Sequence, residues 1–238
     1  MSQHISRKEL KQDEFRDTLA HGAEAVMTHQ RAAWIVAGIV VGVLVAVFGW
    51  RLWSERQTLK ASAALDGVMK IYEARIRVPG EPEQPGEVTY VEEKNKYEDA
   101  AKKFADVAKQ YGRTRPGQMA RYYAALSLEK LGRWDEAQKS LREVESSGDP
   151  EFAALARFNL AETYERTGKP DQAAALYRQL MEKPGVLVPK PLVMLALANN
   201  LSTRNPAEAQ KLYEQIKKDY PDSAVADQAD RALESLKL

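Results

Sequence analysis

The chain has 238 residues, with 35 Lys and Arg against 34 Asp and Glu, for a formal charge of +1. So even a balance disfavours a purely basic nucleic-acid binder. The absence of Cys removes disulfides, zinc thiolate sites, thiol nucleophiles and thiol redox chemistry.

The first element in chain order is a charged tail, residues 1–31, in which five basic residues face five acidic ones. Ser6 and Glu9 are spaced to close a capping box, and Leu10, Phe15, Leu19, Val26 and Met27 recur near helical spacing, predicting a short amphipathic helix. All the histidines, His4, His21 and His29, fall here without the i, i+4 spacing of a helical metal pair, so no metal or cofactor site is expected. With no His beyond the tail, imidazole acid–base catalysis is excluded from the rest of the chain.

Ala32 to Trp50 then runs 19 residues without a charged or strongly polar side chain. As a helix it is about 28 Å long, enough to cross a bilayer. Trp34, Trp50 and Trp53 stand near its ends and Arg31 and Arg51 bracket it, the placing of interfacial rings and cations. No small-x-small cleavage site follows, so residues 32–53 read as a retained transmembrane helix and not a signal peptide. Gly38, Gly42 and Ala46 share one face of it, a candidate membrane-helix contact and a route to an oligomer. Charge does not orient the span: Arg16 and Arg31 lie before it, whereas Arg51, Arg56, Lys60 and Lys70 follow it.

Residues 54–238 read as helix nearly throughout, broken early by 78–92, where three Pro and two Gly predict an exposed loop after a first helix over about 54–77. A repeat follows. Leu131-Gly132-Arg133-Trp134-Asp135-Glu136-Ala137 aligns with Thr167-Gly168-Lys169-Pro170-Asp171-Gln172-Ala173 and with Thr203-Arg204-Asn205-Pro206-Ala207-Glu208-Ala209, at a period of 36. Large residues come four and seven positions after each alanine: Leu141 and Val144, Tyr177 and Leu180, Tyr213 and Ile216. Ala100, Phe104 and Val107 give a fourth copy with the same offsets. A final helix, 223–236, turns Ala226, Ala229 and Leu233 inward and keeps a polar outer side, as a solenoid end requires.

This pattern resembles the tetratricopeptide repeat, helix-turn-helix units in which a large side chain of one helix fits a hole left by small ones in the next. The resemblance implies an all-α chain, a single N-terminal transmembrane helix followed by an α-solenoid, whose first helices line a concave protein-binding groove. In this register the groove positions are Met119, Tyr122 and Leu126, then Leu155, Phe158 and Glu162, then Pro191, Met194 and Ala198. Tyr122, Phe158 and Met194 form an apolar ladder with two open readings: a platform for a client's hydrophobic segments, or packing buried between helices. The Lys and Asn that grip a C-terminal carboxylate in chaperone-binding repeats are replaced by Glu129, Lys130, Glu165 and Arg166. No nucleotide-loop, zinc-protease or serine-hydrolase motif occurs, so no enzyme is expected.

The layout, with the anchor exit Gly49-Trp50-Arg51-Leu52-Trp53 and Gln57 soon after, resembles the ancillary subunit family of the bacterial Sec translocon. That resemblance implies an inner-membrane protein with a cytoplasmic N-terminus and a periplasmic repeat domain. Its implied partners are translocon subunits, periplasmic chaperones or prolyl isomerases, and client polypeptides. A cytosol-facing repeat receptor and a scaffold of another envelope assembly machine remain the alternatives.

Overall fold

The computed structural model describes residues 30–82 and 84–236. The expected helix of the tail, with Ser6 and Glu9, lies outside these residues, as do the three histidines. The chain divides into two units, residues 1–56 and 57–238. Among the described residues the secondary structure is nine helices and one two-residue ladder.

Helix α1, Gln30–Tyr72, is uninterrupted and belongs to both units. In the first unit its large apolar side chains from Trp34 to Trp53 are 44% to 78% exposed. This part is long and apolar enough to be a candidate membrane span. Where the apolar run ends, Trp50 and Trp53 lie 5.5 Å apart and Arg51 pairs with Glu55 at 3.6 Å. In the second unit the character of the same helix changes: Ala61, Leu65, Val68 and Ile71 are buried. Their spacings of three and four put them on one side.

Helix α1 ends sooner than the sequence indicates. It stops at Tyr72, and residues 75–76, assigned above to the helix, are β1 (Arg75–Ile76), paired in parallel with β2 (Thr89–Tyr90). Local polar contacts stabilise the exit. Lys96 Nζ donates to the Ala74 carbonyl at 3.3 Å, and Arg75 forks onto the Glu81 carboxylate at 2.8 and 3.1 Å. The Pro- and Gly-rich loop between the strands is largely exposed, but its end is tied down. The Tyr90 hydroxyl donates to Asp99 at 2.5 Å.

Then come α2 (Glu93–Tyr111), α3 (Arg115–Lys130), α4 (Trp134–Glu145), α5 (Pro150–Arg166), α6 (Pro170–Glu182), α7 (Lys190–Leu201), α8 (Pro206–Asp219) and α9 (Ala224–Leu236). Each packs on its neighbour in sequence, as in a solenoid whose units touch only adjacent units. Starts and stops are chemically specified. Thr114, Asp149 and Asn205 accept first-turn amide hydrogens at the starts of α3, α5 and α8. Pro150, Pro170 and Pro206 open their helices, where a missing N–H costs nothing.

The repeated glycines close the turns. After α3, Gly132 takes φ +70°, its N–H reaches the Glu129 carbonyl at 2.9 Å, and Arg133 N–H reaches Leu128 at 2.9 Å. After α5, Gly168 at +72° repeats this with Glu165 and Tyr164. Both are left-handed caps in which glycine has no Cβ penalty. The third copy has Arg204 at this place and closes differently, with both Arg204 and Asn205 donating to Leu201.

The alanines that set the repeat, Ala100, Ala137, Ala173 and Ala209, are all fully buried. So are Phe104, Leu141, Leu180 and Ile216 at the following offsets. A main core runs from α3 to α9, and a second, around Phe104, joins the end of α1 to α2 and α3. At the C-terminal end, Ser223 Oγ accepts from Ala226 N–H, and Ala226, Ala229 and Leu233 of α9 close the main core.

Candidate protein-binding surface

The surface of interest is built by the first helix of each pair, α3, α5 and α7, which hydrogen-bond to one another along the array. Asn159 Nδ2 donates to the Tyr122 hydroxyl at 2.8 Å, and the Thr163 hydroxyl donates to Glu129 at 2.5 Å. One unit on, Asn200 Nδ2 donates to Glu165 at 2.7 Å. These bonds link side chains 34 to 37 residues apart, so they couple one repeat to the next.

Two of the three ladder residues are buried. Tyr122 and Met194 belong to the main core, and Phe158 is half-buried against it with its ring 5.7 Å from that of Tyr177. Met194 and Ala198 have no exposed area, so neither can touch a client in this arrangement. Tyr122 and Met194 share the main core with the small residues Ala125 and Ala161, whose size permits close helix packing. Of the predicted groove residues, Met119 is exposed, and Leu126, Leu155, Phe158, Glu162 and Pro191 are half-buried.

What remains accessible on this side is aromatic and acidic. Tyr72, from the end of α1, packs edge-on against Tyr97, Phe104 and Tyr123. Burial raises the Tyr72 hydroxyl pKa to about 12, helped by the neighbouring Tyr97, Tyr123 and Glu129. Glu129 is raised above the ordinary carboxylate range by burial, although Thr163 and Arg166 oppose the shift. Glu162 is raised mainly by burial, with Arg166 opposing and Glu129 adding repulsion. Two partly desolvated carboxylates beside phenol and amide groups form a surface that accepts hydrogen bonds and cations while offering aromatic area.

Sequence reasoning missed Tyr72, Tyr123 and Asn159 as members of this surface, and named Glu129 and Glu165 only as standing where a carboxylate clamp would have Lys or Asn. Tyr123 and Asn159 stand at the 36-residue period, so a search of the repeat for polar positions would have found them. Tyr72 gave no such signal, because its partners come from helices beyond the loop.

Comparison with protein families agrees with this geometry. A model described as a tetratricopeptide repeat-like domain matches residues 29–184, and a tetratricopeptide repeat model matches residues 192–223. The chain belongs to the tetratricopeptide repeat-like family. No curated protein matches it. The first match begins at residue 29, so the apolar half of α1 lies within the matched domain. As a tetratricopeptide repeat-like protein, the chain is a protein–protein interaction module, of a kind whose members are generally non-enzymatic scaffolds. Among the described residues of this tetratricopeptide repeat-like protein, no cluster of His, Cys, Asp or Glu is placed to hold a metal ion.

Proposed function

We propose that this protein is a single-pass inner-membrane anchor for a periplasmic repeat array, acting as an accessory subunit at the Sec translocon. It receives emerging polypeptide segments and passes them to periplasmic chaperones or prolyl isomerases. The supporting observation is that one helix, α1, carries both the candidate span and the buried face that closes the first unit of the array. The interaction module is thereby tethered, which raises its effective concentration near membrane-bound partners. The client surface is the half-buried side of α3 and α5, where Leu155 and Phe158 supply apolar area and Glu129 and Glu162 attract cations. Binding there needs no covalent chemistry. Gly38, Gly42 and Ala46 of the span are the contact for a second membrane helix, since their spacing of four puts three small residues on one face, where another helix can approach closely.

Compartment-specific reporters fused to the C-terminus test the topology, and photocrosslinkers at Leu155 and Tyr123 test the client surface. A C-terminus outside the cytoplasm, with crosslinks to an arrested translocating chain that vanish on its release, fits the proposal. A cytoplasmic C-terminus refutes it and leaves the receptor reading, which the cations Arg51, Arg56, Lys60 and Lys70 beyond the span favour. A crosslink to one permanent subunit whatever the chain's state favours the scaffold.

A further inference from the structure

Along α5, Glu151, Leu155, Phe158 and Glu162 follow one another at spacings of four, three and four, which sets them on one stripe of the helix. The stripe changes character from end to end. At its start the Glu151 carboxylate accepts the Leu187 N–H at 3.0 Å, and a Cβ built on Gly185 would stand 3.1 Å from that of Ala154. These contacts hold the α6–α7 loop against the first turn of α5, with Val188 buried. The loop tip is left open: Leu187 is 52% exposed, and Val186, at 85%, is the most exposed large apolar side chain among the described residues. At the far end of the stripe, Glu162 is half-buried and makes no hydrogen bond or ion pair with a described residue. Arg166 attracts its charge, Glu129 of α3 and Glu165 repel it, and the hydroxyls of Tyr122 on α3 and Tyr177 on α6 feel it. Helix α3 repeats the gradient. The bonds from Asn159 to Tyr122 and from Thr163 to Glu129 set α3 and α5 parallel, with Met119 exposed near the start of α3 and Glu129 near its end.

We infer that the client surface selects extended segments in which a pair of apolar residues stands about three positions from a Lys or Arg. The apolar pair lies over the loop tip, Leu155 and Phe158, and the cation reaches Glu162. The spacing follows from the helix: the seven residues from Leu155 to Glu162 rise about 10 Å, which three residues of extended chain span. The choice of a cation follows from charge. A half-buried carboxylate without a partner, with a second carboxylate repelling it, gains a charge-assisted hydrogen bond when a basic side chain arrives, and an acidic one would add to the repulsion. The inference rests on the client surface proposed above and gives it a substrate class. It does not depend on the side of the membrane that the surface faces.

The test uses the full-length protein in zwitterionic phosphatidylcholine nanodiscs, with empty discs as the blank, at a salt concentration where charges more than about 8 Å apart are screened. The probes are three short, fluorescent, Ser-rich peptides that share a Leu-Leu pair. One carries Arg three positions after the pair, the second carries the neutral isostere citrulline there, and the third has citrulline there and its Arg ten positions away. Anisotropy is expected to show the first binding at least fivefold tighter than the other two. Glu162→Gln, which keeps the side chain's shape, reduces that preference to less than twofold and leaves citrulline-peptide binding unchanged. Val186→Ser with Leu187→Ser, both in the exposed tip, weakens all three peptides at least threefold. If the peptides bind but Arg and citrulline are equal, if the distant Arg serves as well, or if either variant is without effect, the inference fails and the client surface itself stands. If no peptide binds, both are overturned.

Discussion

Replacing Phe104 by Ala tests whether the packing around this ring couples α1 to the array. Phe104 has no exposed area and lies among Leu65, Val68 and Ile71 of α1, Val107 of α2 and Ala120 and Ala124 of α3. Its ring stacks on Tyr123 at 5.5 Å and meets Tyr72 edge-on at 5.9 Å. Truncating a buried Phe to Ala costs about 3–5 kcal/mol, from lost transfer energy plus the cavity left behind. In a linear array that loss falls first on the unit that contains it. At about 1.4 kcal/mol per tenfold, local opening of this unit should rise by roughly two to three and a half orders of magnitude, up to the limit set by global unfolding. Hydrogen exchange of the full chain in detergent micelles reads this directly. Protection should collapse for amides of residues 60–72 and of α2, while amides of α8, packed around Tyr213 and Ile216, change little. Equal loss in α8 would mean the array opens as one body, and unchanged protection in residues 60–72 would mean that Phe104 does not hold α1; either result refutes the reasoning.

Three further outcomes are expected. Burial raises the Glu162 pKa, so the folded state binds its proton more readily than the unfolded chain, whose value is near 4.5. Stability should therefore fall as pH rises through the raised folded value. Glu162→Gln removes this penalty, so thermal melts should show the variant above the parent at pH 7 and the two converging below about pH 4; parallel curves would contradict this assignment. Gly117→Ala would place a Cβ 1.9 Å from the Tyr111 carbonyl oxygen, which forces the α2–α3 turn open and costs about 2–3 kcal/mol in urea titrations. Gly168→Ala meets no neighbouring atom, so only the φ of +72° opposes it, and the loss should be about 1 kcal/mol.

Much of the architecture was legible because it is periodic. The uncharged run from Ala32 to Trp50 marks a candidate span by length and polarity alone, and the alanines at the 36-residue period specify the second helices, since only a small residue tolerates such close helix contact. Gly132 and Gly168 mark the turns because each closes a left-handed cap. The end of α1 was not legible. Apolar spacing alone does not exclude helix at Arg75 and Ile76, and what ends it there is pairing with Thr89 and Tyr90 together with Lys96 capturing the Ala74 carbonyl. Those contacts come from beyond the loop.

The binding surface divides in the same way. The 36-residue period identified Tyr122, Phe158 and Met194 as equivalent, but equivalence in register does not say which side of the helix pair is covered. Packing decided that: Tyr122 and Met194 are buried in the main core, whereas Phe158, Tyr72 and Glu129 stay half-buried. Burial and charge desolvation depend on what neighbouring repeats bring against a side chain. The sequence alone determined that there would be a repeat array behind an apolar helix, because helix period and turn chemistry are local properties. Which side chains are covered was decided by tertiary structure, because it is set by the groups that cross from one repeat to the next, such as Arg142 onto Tyr164 and Arg178 onto Glu208.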